Sequence, residues 1–273
     1  MKAGDIIRLL ERLGVQPSRK LGQNFLIDPN TLRLIVAAAR PEPHELILEI
    51  GPGTGVMTSA LLEAGSDVIA IEFDARLAAW LREHHDGDSR IQIVEGDACR
   101  VDFESLVNGR SYRCVANLPY AVSSIIVGRF LEATNRPTRL TLLLQREMAE
   151  RLAATSNNKT YGALTVRTQA MYKVKLERIV PPTVFFPPPD IDSAIVTMTP
   201  NEQVLPTHEV KPFGDMVRLG FSQRRKRLVK LLSSAYSKSD LELAWSELGF
   251  DDGARAEHLT VDDYLNLFRS LQR

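Results

Sequence analysis

From residue 45 to about residue 155, short apolar runs alternate with stretches of helical spacing. The runs ELILEI, DVIAIEF, RIQIVEG, RCVANL and RLTLLLQ are apolar nearly throughout rather than at every second position. That is the pattern of parallel strands buried on both faces. Between them, TSALLEAG, ARLAAWLREHH, SSIIVGRFLEA and REMAERLAA place apolar residues three and four apart, which predicts helices. Strand, helix, strand in this order predicts a doubly wound α/β sheet. Downstream, PPTVFFPPPDIDSAIVTMTP is a proline-rich loop running into an alternating strand, Ile191 to Thr199, expected at the sheet edge. NEQVLPTHEVKP reads as a linker, and the chain from about residue 212 is helical by period. Residues 1–200 are therefore expected to form an α/β domain with an N-terminal extension, and residues 201–273 a small all-helical one.

Composition narrows the function classes. The 273 residues, 44% hydrophobic and 25% charged, suffice for one full-sized core and a small second one. No apolar run is long enough to span a bilayer, and MKAGDIIRLLERLG carries charges where a secretion signal is apolar, so the expected location is the cytoplasm, with no membrane partner. Cys99 and Cys114 lack C-x-x-C spacing and are expected to be reduced core thiols, with no metal. Thirty-four basic and 34 acidic residues give zero net charge, which by itself argues against binding nucleic acid through bulk positive charge. The distribution changes that picture. Residues 211–238 are crowded with Lys and Arg and contain one acid, Asp215, while the stretch after them is mostly acidic.

Candidate chemistry starts after the first strand, where EIGPGTG brings Gly51, Gly53 and Gly55 to the start of a helix. Glycines there let backbone approach a ligand closely. The spacing is G-x-G-x-G, not the G-x-G-x-x-G of dinucleotide sites. The next strand ends on Glu72, placed to accept hydrogen bonds from both hydroxyls of a ribose, and the third ends near Asp97, within reach of an adenine amine. Each acid alone is also an ordinary strand-end residue; together with the glycines they describe a pocket for adenosine without a pyrophosphate. S-adenosylmethionine fits that description. Glu49, before the glycines, is placed either to hold the methionine amine or to brace the turn.

The fourth strand runs into NLPY at the same edge of the sheet. An amine on an adenine ring is a poor nucleophile because its lone pair is delocalised. The Asn117 side-chain oxygen and the Leu118 carbonyl can accept its two hydrogens and favour the pyramidal form, while Tyr120 offers a flat face to a flipped base. The structural alternative is an Asn-Pro turn with a core tyrosine. Phe185 and Phe186, in a loop stiffened by Pro187, Pro188 and Pro189, supply a second aromatic pair, one expected to clamp the base and the other to anchor the edge strand.

KLGQNFLID, LEIGPGTGVMT, IEFD, GDA, NLPY, LLLQREMAERLAA, YGALTVRTQ, FFPPPDIDSAIV and FSQRRKRL follow one another in the order of a known family. Through them the chain resembles the KsgA-type small-subunit ribosomal RNA adenine dimethyltransferases, a branch of the Rossmann-like methyltransferases. The resemblance implies that Asn24 and Leu26 line the cofactor pocket with Gly51, Gly53, Glu72, Asp97 and Asn117. It also implies two methyl transfers to each of two adjacent adenines in a hairpin loop near the 3′ end of small-subunit (16S) ribosomal RNA, within the pre-30S particle. Ala121 and Asp190 depart from the family pattern, which holds Asn and a basic residue at those places. Arg224, Arg225, Lys226 and Arg227, read as helical, are expected to contact phosphates, with Arg19 and Lys20 as the other basic candidates. A monomer is the default expectation. Two other readings stay open: a large-subunit (23S) ribosomal RNA adenine methyltransferase of the resistance type, and a ribosome-assembly factor in which methylation is secondary. A nicotinamide dehydrogenase is disfavoured by the glycine spacing.

Overall fold

The computed structural model describes residues 3–18, 22–119, 121–202 and 205–273. The chain divides into two compact units, Met1–Ala149 with Lys175–Thr199, and Glu150–Val174 with Pro200–Arg273.

The first unit opens with helix α1 (Ala3–Arg12), the two-residue strand β1 (Phe25–Leu26) and helix α2 (Pro29–Ala39). Helix α2 starts where Asp28 accepts from the Thr31 backbone N–H at 2.7 Å, with proline in the first turn. Strands and helices then alternate as the apolar runs predict: β2 (Leu46–Ile50), α3 (Val56–Glu63), β3 (Asp67–Glu72), α4 (Ala75–His84), β4 (Ile91–Glu95), α5 (Phe103–Val107), β5 (Tyr112–Asn117), α6 (Ser123–Glu132) and β6 (Arg139–Gln145). After α7 (Arg146–Leu152) and α8 (Ala163–Gln169), the strands β7 (Tyr172–Val180), β8 (Phe185–Phe186) and β9 (Ser193–Pro200) complete the β structure. The main sheet has the order β4-β3-β2-β5-β6-β9-β7. The pairs among β2 to β6 are parallel, and β9 runs antiparallel to β6. In such a sheet the carboxyl ends of β2 to β5 share one edge, where ligands of open α/β folds bind.

Two differences from the sequence reading are physical. Strand β9 is internal, not the edge, and its first six residues are buried. Thr197 tolerates this because its hydroxyl donates to Glu177 Oε1 of β7 at 2.7 Å. The edge on that side belongs to β7, opposite the other edge strand β4, and the apolar pattern does not reveal β7 because Lys173, Lys175 and Arg178 stand exposed along it. A separate ribbon pairs β1 with β8, setting Phe25 opposite Phe186 and Leu26 opposite Phe185.

The second unit is helical, with α8, α9 (Thr207–Gly220), α10 (Leu228–Leu232), α11 (Lys238–Leu248) and α12 (Val261–Leu271). Its core is aromatic: Phe221 stacks on Tyr264 at 5.9 Å, and Phe213 meets Phe268 edge-on at 5.6 Å. Residues 150–174 were expected with the α/β domain and instead group with this unit, since α8 turns Val166 and Thr168 inward and packs on α9. Gly214 of α9 sits so close to α8 that a Cβ there would lie 3.0 Å from Arg167 Nε. Among the described residues no helix is long and apolar enough to cross a membrane.

Candidate functional site

The loop from β2 to α3 leaves Gly51, Gly53 and Gly55 with φ of 69°, 57° and 78°, values that side chains rarely adopt. A Cβ on Gly53 would also press to 3.1 Å from the Phe25 ring. The loop is held from the next strand. Glu72, 4% exposed, accepts the Gly53 backbone N–H on Oε2 and the Asp74 backbone N–H on Oε1, both at 2.9 Å. Burial pushes the Glu72 carboxyl up, and the backbone donors of Asp74, Gly53 and Phe73 pull it back towards the ionised form. Each oxygen keeps an acceptor site for a ligand hydroxyl.

The strand β4 hands over to a short loop in which Asp97 Oδ1 accepts the Cys99 N–H at 2.8 Å and Arg100 approaches Asp97 Oδ2 at 3.5 Å. At the end of β5, Asn117 donates from Nδ2 to the Asn24 carbonyl at 2.9 Å, which leaves Oδ1 as the acceptor of its amide. Leu118 is buried behind it, its N–H on the Leu143 carbonyl at 3.1 Å.

These pieces enclose one cavity of about 300 Å³ at the carboxyl edge of the sheet. Asn24, Leu26, Gly51, Gly53, Glu72, Asp97 and Asn117, singled out for the cofactor, all line it. The residues fit an adenosyl ligand bearing a methionine chain: positive-φ glycines keep side chains out, a buried carboxylate offers free acceptor sites, and apolar walls come from Ile50, Val122 and Ile126.

Other expected residues fall elsewhere. Tyr120 lies outside the described residues, as do Arg19 and Lys20. Phe185, 3% exposed, packs with Leu26, Ile35 and Val180 in the core, so the anchoring role is its own. Phe186 is half-buried against the cluster of Ile6, Leu10 and Phe25, and neither phenylalanine lines the cavity. Arg224, Arg225, Lys226 and Arg227 are exposed in the second unit, but not on a helix. They occupy the turn between α9 and α10, closed by the Lys226 N–H on the Gln223 carbonyl at 3.0 Å, and Arg227 is extended where α10 begins. Arg224 donates to the Lys159 carbonyl. The helical reading fails there because α9 ends at Gly220 and the next helix starts only at the buried Leu228.

Several lining residues escape the sequence reading, Phe73 and Cys99 among them. Phe73 is 60% exposed on the cavity rim directly after Glu72, a position the strand end of IEFD could have flagged. Cys99, expected in the core, lines the wall half-exposed, its thiol pushed up by burial and by Asp97. Cys114 is buried as expected.

Glu49 does not line the cavity. It is 0% exposed, accepts from the Thr58 hydroxyl at 2.6 Å, and leaves Oε1 without a partner, which supports the bracing role for it over the ligand-holding one. Burial pushes its carboxyl from 4.5 up to about 8, with Glu72 adding to the rise. Folding therefore retains a proton that the unfolded chain gives up above its ordinary range. This contribution to stability is complete below pH 4.5 and declines as pH rises towards 8. Urea unfolding across pH 5 to 8 is expected to show stability falling with pH by up to about 1.4 kcal/mol per unit, and Glu49→Gln is expected to flatten that fall. Equal pH slopes in the two proteins would remove Glu49 as the cause.

A model of the ribosomal RNA adenine dimethylase family matches residues 15–273. The ribosomal RNA small subunit methyltransferase A of Moorella thermoacetica is 36% identical over 280 residues, covering 98% of this chain and 97% of the relative. Its namesake in Vibrio atlanticus is 38% identical over 257 residues, covering 93% of each. Among solved structures, a dimethyladenosine transferase from Plasmodium falciparum superposes with a TM-score of 0.76 at 26% identity, covering 89% of this chain and 95% of that one. The 23S rRNA methyltransferase ErmE superposes at 0.70 with 28% identity, covering 92% and 100%.

Proposed function

The chain belongs to the ribosomal RNA adenine dimethylase family, and on that premise we propose how its cavity methylates RNA and which RNA it meets. It is an S-adenosylmethionine-dependent enzyme that dimethylates adenines of small-subunit ribosomal RNA, on a Rossmann-like fold. The observation that carries the reading is the convergence of Gly53, Glu72, Asp97 and Asn117 on one cavity.

When bound, S-adenosylmethionine supplies a methyl on a sulfonium centre, which makes the carbon electrophilic. The chain supplies orientation. Glu72 accepts from the ribose hydroxyls, Asp97 accepts from the adenine amine of the cofactor, and Phe73 covers that ring from the rim. Asn24 and Leu26 close the opposite side. The target adenine enters past Pro119, and Tyr120 is the aromatic face assigned to receive it. Asn117 Oδ1 and the Leu118 carbonyl accept its amine hydrogens and turn the nitrogen lone pair out of conjugation. Holding nucleophile and methyl roughly 3 to 3.5 Å apart supplies most of the acceleration, and the product amine, acidic while alkylated, loses its proton to water.

The substrate is two adjacent adenines in the 3′-terminal hairpin loop, presented in the pre-30S particle in the cytoplasm to a monomeric enzyme. The small-subunit reading is preferred to the large-subunit one because the relatives matching over at least 93% of the chain at 36% and 38% identity carry the small-subunit name. Incubation with radiolabelled S-adenosylmethionine and subunits lacking the modification tests it: label is expected in small-subunit RNA at the two adenines. Label in large-subunit RNA would transfer the enzyme to the resistance type, and tight binding without label would make it an assembly factor.

The basic turn positions the RNA through phosphates. Arg224 is engaged with Lys159, so Arg225, Lys226 and Arg227 are the better candidates, and an exposed turn lets all three face one strand. Replacing Arg224 to Arg227 with Gln is expected to flatten the dependence of log affinity on log salt by about two units while leaving S-adenosylmethionine affinity unchanged. A slope equal to the wild type's would return the cluster to a solvated surface.

A further inference from the structure

The wall of the cavity formed by Asp97, Ala98 and Cys99 belongs to a loop without regular structure between β4 and α5. Its own bonds are local: Arg100 and Val101 N–H on the Asp97 carbonyl, both at 2.8 Å, and Cys99 N–H on Asp97 Oδ1. Gly96 N–H ties the start of the loop to the Glu72 carbonyl at 2.8 Å and the local bonds fix the turn's shape, but neither holds its far end against the rest of the site. One side chain from across the site does that. Arg129, towards the C-terminal end of α6, donates from Nη1 to the Ala98 carbonyl and from Nη2 to the Val101 carbonyl at 2.6 Å. Its guanidinium carbon lies 4.3 Å from the centre of the Phe103 ring, which itself stacks on Phe130 at 5.0 Å. The planar fork is thus held on one face by an aromatic ring while two donors grip both ends of the loop.

We propose that Arg129 is the positioning residue of the adenine subsite, fixing the Asp97–Val101 loop to α6, the helix whose Ile126 and capping Val122 line the same cavity. The inference rests on the reading that Asp97 receives the adenine of the cofactor. The requirement follows from geometry: two carbonyls must be satisfied at once from a fixed distance, which a guanidinium does with two parallel donors and an ammonium does with one well placed. Arg129 touches no reacting atom, so its loss lowers affinity for the adenosyl group and not the rate of the bound complex.

Arg129→Met keeps an apolar stem over Phe103 and removes both donors. S-adenosylhomocysteine and adenosine titrated by calorimetry are expected to bind about tenfold more weakly, KM for S-adenosylmethionine to rise in step, and kcat at saturation to stay within twofold. Arg129→Lys is expected to fall between, and it serves as the measured variant if the Met protein melts much earlier. Asp97→Ala is run beside them. If it leaves adenosine affinity intact, the adenine assignment itself is wrong. If it weakens adenosine while both Arg129 variants bind like wild type, or if kcat falls with KM unchanged, the positioning role is overturned.

Discussion

Asn117→Ala is expected to lose methyl transfer by more than about 100-fold, or roughly 2.7 kcal/mol of transition-state stabilisation, while cofactor affinity stays within a few-fold. The asymmetry comes from the two ends of one amide. Its Nδ2 holds the Asn24 carbonyl, a contact to the pocket wall whose loss has a modest effect on binding. Its Oδ1 is the acceptor that meets the target amine, and this interaction strengthens as the nitrogen pyramidalises. Asn117→Asp separates the two, since a carboxylate keeps the acceptor and gives up the donor. It is expected to retain more activity than Ala and to bind the cofactor no better. Calorimetry with S-adenosylhomocysteine and turnover at saturating RNA check both; a nearly full rate in the Ala protein would sink the mechanism.

Glu72→Ala carries the second large effect, a loss of roughly 1.5 to 3 kcal/mol in cofactor affinity. The carboxylate has two functions in the structure. It offers acceptor sites to a ribose, and it already satisfies the backbone N–H groups of Gly53 and Asp74. Alanine removes both functions, so the unliganded protein is also expected to melt lower. Glu72→Gln keeps one acceptor oxygen and, at a buried site where the carboxyl is already pushed up, is the milder change. If melting falls in the Ala protein but cofactor affinity does not, the residue braces the loop and the ribose lies elsewhere.

How much of this was legible in the sequence depended on burial. Strands β2, β3, β5 and β6 announced themselves because burial on both faces leaves no room for polar alternation, and the edge strand β4 through its isoleucines and valine. Strand β7 did not, because an edge strand wears its lysines and arginine in the open, and β9 was misplaced because a buried threonine satisfied by Glu177 looks like an exposed one in a string of letters. In the cavity, residues tied to short motifs at strand ends were readable: Gly51, Gly53, Glu72, Asp97 and Asn117 each stand at the carboxyl end of a strand or within three residues of it. Phe73 was overlooked because an aromatic beside a motif acid reads as core, although it is 60% exposed. Arg129 left no trace in any motif, since its partners are backbone carbonyls about 30 positions away, and carbonyls are the same whatever the residue. The basic turn was read as helix because Leu228 resumes an apolar period that Phe221 had ended.

The small ribbon of β1 and β8 sets a schedule for synthesis. Asn24 and Leu26 reach the cavity on a segment whose strand partner is Phe185 and Phe186, some 160 residues later, so closing that wall waits on a contact of very high sequence separation. A chain emerging from the ribosome lays down the glycine loop, Glu72, Asp97 and Asn117 in order, yet its cofactor site stays open on one side until the aromatic pair has been made. A chain that stopped before Phe185 and Phe186 would carry every polar group of the pocket while lacking the strand partner of its β1 wall.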